Sequence, residues 1–189
     1  MTDSTRTTSE AKLYTPSASR LATLFFSDLA DVGRFEPSSV DNLPPQYRKL
    51  LAHNEHMTVA LESFHKSPVS VAALAEWRDE NSYARCSLLS RQSDGAVVQF
   101  GMMRIWLADL PAAAQEEIAS KKSPLGRVLI EHNVLREVEL ITLWQIEPGS
   151  VLRQHLQVNG KTPLYGRSAQ ILVDERPTVQ LLEIVKLES

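Results

Sequence analysis

The apolar positions Leu21, Leu24, Phe25 and Leu29 recur at i, i+3, i+4 and i+8, the stripe of an amphipathic helix. Ser19 is placed to cap that helix and Gly33 to end it. Pro44-Pro45 opens a second, shorter helix carrying Tyr47, Leu50 and Leu51. From Met57 the period changes. Val59, Leu61 and Ser63 alternate with Ala60, Glu62 and Phe64, which predicts a strand. After Ser67-Pro68 another strand runs from Val69-Ser70-Val71 toward Trp77. Residues 83–91 and 96–107 flank Gln92-Ser93-Asp94-Gly95, a hairpin turn with Asp-Gly at its tip. Asp109 is placed to cap a helix over 110–120, and Pro124 opens a shorter one with Leu125, Val128 and Leu129. The last third returns to strands. The run 136–146 is broken by Pro148-Gly149, and Asn159-Gly160 is a further hairpin candidate. Residues 165–173 and 178–187 are joined by Asp174-Glu175-Arg176-Pro177. Helices at the start and in the middle, between hairpin-linked strands, predict an α+β domain with a mainly antiparallel sheet.

The Ser- and Thr-rich residues 1–18 read as a disordered or loosely attached tail, leaving 19–189 as a single domain. A chain of 189 residues with 43% apolar and 23% charged residues can build a substantial core. Its net charge of −3 draws neither nucleic acid nor an acidic membrane, so an anionic ligand needs local cations. The single cysteine, Cys86, has no partner for an internal disulfide. With no signal-like run and no segment approaching about 18 apolar residues, the default location is the cytoplasm, without membrane insertion.

Glu183 is the sharpest local anomaly. At period 2 it shares a strand face with Val179, Leu181 and Val185, which aims a carboxylate at the core. A buried carboxylate needs a cation or a raised pKa. In the other reading, Leu182 and Ile184 mark the buried face and Glu183 is solvated. Arg85, on a face with Tyr83, Ser87 and Leu89, is the candidate partner. Its planar fork suits a carboxylate, although a surface arginine lying over Tyr83 fits the pattern as well. Gly101 interrupts an otherwise bulky strand, marking either a bulge or a close approach to the backbone. Free backbone N–H groups near Leu125 and Gly126, at the Pro124 helix start, can meet an anion. No metal constellation forms around His53 and His56, and no Walker loop, GxGxxG, GxSxG or HExxH motif occurs.

In order and most spacings, four stretches over roughly 43–187 resemble the chorismate lyase family. They are LLAHNEHMTVALESFHKSPVSV, SYARCSLLSRQSDGAVVQFG, KSPLGRVLIE and YGRSAQILVDERPTVQLLEIV. The resemblance implies an antiparallel sheet with helical flaps over a buried pocket. It also implies a cofactor-free elimination of pyruvate from chorismate to leave 4-hydroxybenzoate. Carried over residue by residue, Arg85 grips the ring carboxylate with help from the backbone at Gly101 and Leu125. Glu183 and the backbone at Met57 then lie near the ring oxygen. Arg85 and Glu183 would thus be the catalytic pair, with Met57, Gly101 and Leu125 binding substrate, and a closed pocket within one chain permits a monomer. The chain departs from the family at Met102, where an arginine is usual, and in a longer insert between Trp144 and Gly166.

A non-catalytic binder of an aromatic acid is the rival reading, because the same fold serves as the effector domain of some transcription regulators. A sister enzyme making another hydroxybenzoate is a third. Residues 1–42 are expected to be too short, and too apolar along one stripe only, for a helix-turn-helix.

Overall fold

A computed structural model describes residues 18–159 and 162–187. Seven strands form one antiparallel sheet: β1 (Gly33–Ser38), β2 (Val69–Arg78), β3 (Tyr83–Arg91), β4 (Val97–Ile105), β5 (Arg136–Pro148), β6 (Leu164–Val173) and β7 (Arg176–Val185). Their spatial order is β1-β5-β6-β7-β4-β3-β2, so the last hairpin, β6–β7, occupies the middle.

Helices cover both faces. On one, α1 (Ala18–Ala22), α2 (Leu29–Val32) and α7 (Ser150–Leu156) pack over Cys86, Phe100, Met102, Leu182 and Ile184. On the other, α3 (Pro45–Leu51) and α4 (Met57–His65) cover a cluster with Leu89, Tyr165 and Val185. Beside them, α5 (Ala112–Ser120) and α6 (Leu125–Glu131) cover Met103, Ile171 and Leu181. Because both faces are covered, residues 178–185 of β7 are all buried, and the choice between its two faces disappears. Among the described residues no helix is long and apolar enough to cross a membrane.

Several expectations are corrected. Residues 57–65 form helix α4 rather than a strand, with burial at Met57, Thr58 and Leu61 and Val59 42% exposed. Packing follows the i, i+4 spacing and overrides the accidental alternation. The first helix divides in two because Asp28 makes a capping box with Asp31, starting α2 afresh. Ser19 lies within α1 and caps nothing. Asp109 ends a 3-10 turn, and α5 begins only after Pro111, whose ring holds Leu110 in extended conformation. The expected hairpin at Asn159-Gly160 lies partly outside the described residues, and the segment before it forms α7. The expected tail lies outside them apart from Ala18, which is buried in α1.

Candidate functional site

A row of directly opposed residues crosses the sheet centre: Ser87 faces Gly101, Gly101 faces Glu183, and Glu183 faces Arg167. Directly opposed antiparallel residues project to the same side. That side is the one under α3–α6, and between the two apolar clusters it leaves a cavity. Arg85, Glu183, Met57, Gly101 and Leu125, the five site residues read from the sequence, all line it.

Arg85 is 2% exposed, which excludes the surface reading. Its Nε and Nη1 groups are buried without a hydrogen-bond partner. Burial pulls its pKa below the ordinary arginine range, opposed by a hydrogen bond to Tyr83 and the charge of Glu76. The Tyr83 hydroxyl donates to Glu76 Oε2 at 3.1 Å, and Lys121 Nζ donates to Glu76 Oε1 at 2.7 Å. Chiefly through burial, Tyr83 is pushed up to about 12, so it stays protonated. Arg85 thus lines the cavity with two buried nitrogens, Nε and Nη1, that have no hydrogen-bond partner.

Arg85 and Glu183 do not pair. The partner of Glu183 is Arg167, which sequence reading left without a role: its Nε donates to Glu183 Oε2 at 2.7 Å. Arg167 is wholly buried, and its remaining N–H groups donate to the carbonyls of His53 (2.8 Å) and Glu55 (2.9 Å). One arginine thus ties the cavity floor to the segment that leads into α4.

Two helix starts meet at the cavity rim. Neither His56, before α4, nor Pro124, before α6, provides a side-chain cap, so no cap side chain satisfies the first-turn N–H groups at Met57 and Leu125. Gly126 allows the crossing. A Cβ there would stand 2.9 Å from Thr58 Oγ1, 3.2 Å from His56 Cβ and 3.3 Å from Thr58 Cβ. Gly126→Ala gains about 1 kcal/mol of helix propensity but forces these groups apart at a cost of about 1–3 kcal/mol. Urea denaturation is expected to give a net loss of about 1 kcal/mol, from the same two ranges.

His56 sits between two cations. Arg136 Nε donates to its Nε2 at 2.6 Å, and burial first, then the charges of Arg136 and Arg167, lower its pKa from 6.5 to about 4. Between those values the unfolded chain binds the proton and the folded chain refuses it. Stability from this group is complete above pH 6.5 and falls as the pH drops toward 4. After discounting for its partial exposure, the fall is about 2 kcal/mol. Urea midpoints at pH 7 and 4.5 should separate less in His56→Gln than in the wild type. Among the described residues no cluster of three His, Cys, Asp or Glu is arranged to hold a metal.

No family model matches the chain, and no curated protein matches it. Solved structures do. The effector domain of PhnF from Mycobacterium smegmatis is 12% identical, with a TM-score of 0.51, over 70% of this chain and 88% of that domain. Against PhnF of the same organism, in the longer structure, identity is 12% and the TM-score 0.49, over 68% of this chain. The chain spans 62% of that PhnF. The C-terminal domain of the histidine utilization repressor from Pseudomonas syringae is 11% identical, with a TM-score of 0.44, over 64% and 96% of the two chains. The expected lyase is corrected here: the fold is shared with a regulator's effector domain, and no family or curated match supports an enzyme. The chain has the α+β fold of the chorismate-lyase-like domains associated with transcription regulators.

Proposed function

We propose that this chain is a non-catalytic sensor module that takes a small aromatic acid into the cavity under α3–α6. The observation that carries the reading is the pair of buried, unpartnered nitrogens on Arg85, Nε and Nη1. A guanidinium withdrawn from water and left partly unsatisfied is costly, and a ligand carboxylate answers its charge and its geometry together. Around it, Val71, Leu89, Met103, Val138, Ile171 and Leu181 form an apolar lining for the body of the ligand. Gly101 makes room on the floor for the Gln99 amide, while backbone N–H groups at Met57 and Leu125 supply neutral donors at the rim. Glu183 acts as a hydrogen-bond acceptor held in place by Arg167. Likeness to a solved effector domain supports a binding role for this cavity rather than chemistry in it.

Calorimetric titration with 4-hydroxybenzoate tests the proposal. Saturable binding at one site is expected, together with no release of pyruvate when the protein is incubated with chorismate. Pyruvate formation above the protein-free control, or no heat of binding from any benzoate, would overturn it.

A further inference from the structure

Arg85 is not the only cavity side chain with an unmet hydrogen bond. Gln99, on β4, lines the cavity and is 5% exposed, and its side-chain oxygen is buried with no partner. Folded proteins rarely leave such an acceptor unsatisfied, because it has given up its water for nothing. Arg85 lacks an acceptor; Gln99 lacks a donor.

The sheet register separates these two needs along the cavity floor. Arg85 stands opposite Met103, Ser87 opposite Gly101, and Leu89 opposite Gln99. From Met103 to Gln99 is about 13 Å of strand at roughly 3.3 Å per residue, with Gly101 halfway. A Cβ on Gly101 would come within 3.1 Å of the Gln99 side-chain nitrogen. The missing side chain therefore leaves room for the Gln99 amide to lie over position 101 on the cavity floor. Resting on the acid-binding reading above, we infer that Gln99 determines specificity, its side-chain oxygen accepting a hydrogen bond from an O–H or N–H group of the ligand. An acid bearing a hydroxyl or amino group away from its carboxylate satisfies both ends of the floor. An unsubstituted acid satisfies only the Arg85 end and leaves the Gln99 oxygen stranded.

The test compares the wild-type chain with Gln99→Leu by calorimetric titration of 4-hydroxybenzoate, 4-aminobenzoate and benzoate. The wild type is expected to bind at least one of the substituted acids about tenfold more tightly than benzoate. In Gln99→Leu that preference should vanish while benzoate affinity stays within about threefold of wild type. A preference that survives in the variant, or a wild type that holds all three acids alike, overturns the inference and leaves the acid site standing. If no acid binds the wild type, the acid-site reading fails instead, and ligand-free melting decides the role of Gln99. A raised melting temperature in Gln99→Leu supports an oxygen without a protein partner. A lowered one shows that the protein already uses it, and overturns the inference. Gln99→Met gives the same comparisons should the branched leucine fail to pack.

Discussion

Replacing Arg85 with methionine is expected to lower the affinity for 4-hydroxybenzoate at least a hundredfold, with no loss of stability in the ligand-free protein. Breaking a buried charge pair by deleting one partner costs about 3–5 kcal/mol, and the ligand carboxylate is the partner proposed for this guanidinium. A hundredfold, about 2.7 kcal/mol, lies just below that range and is therefore a minimum. Without ligand the balance reverses. The variant removes a buried cation with two unpartnered nitrogens and fills the same space with a flexible apolar chain. It forfeits the attraction of Glu76 and the hydrogen bond to Tyr83, whose hydroxyl keeps Glu76 as an acceptor. Calorimetry and thermal melting on the same preparation check both halves. Unchanged affinity removes the clamp. A large drop in melting temperature would make Arg85 a structural residue instead.

The strands and the candidate site were legible in the sequence to different depths. Asp94-Gly95 marked the β3–β4 hairpin, where Gly95 takes a φ of +75°. Alternation along 178–187 put Glu183 on one strand face with Leu181 and Val185, but did not tell which face is buried, since both are. Which cation meets Glu183 could not be read, because strand register is fixed by a bulge. The β6–β7 turn is only two residues long, Asp174 and Glu175, both at positive φ. From that turn the pairing runs Val173 with Arg176 and Leu172 with Pro177. Continued unbroken, it would set Arg167 against Leu182, whose side chain faces the opposite layer. The irregularity between Ile171 and Leu172 admits Thr178 as one extra residue and brings Arg167 level with Glu183. A one-residue slip reverses a side chain's face, and nothing in the local sequence announces it. Gln99 did leave a signal, as the lone polar residue among Val97, Val98 and Phe100. Helix α4 was hidden because a short segment satisfied both periods, and only burial chose between them.

The same bulge sets the second large effect. Arg167→Ala is expected to destabilise the fold by about 3–5 kcal/mol, in contrast to the change at Arg85. Arg167 has no unmet donor on its Glu183 side, and its other N–H groups hold the carbonyls of His53 and Glu55. Deleting it strands a carboxylate that is 7% exposed and frees two carbonyls just before α4. For a domain of this size the melting temperature should fall by roughly 10 °C. A double-mutant cycle identifies the cause. Arg167→Met with Glu183→Leu removes both charges from the floor and should recover most of the charge penalty. What remains is the loss of the two carbonyl contacts, which should appear as faster amide exchange in residues 53–58 than in the strands. A single-variant cost below about 1 kcal/mol would mean that the pair contributes no more than a surface ion pair does. In that case Glu183 would have to be held in the cavity by something other than Arg167.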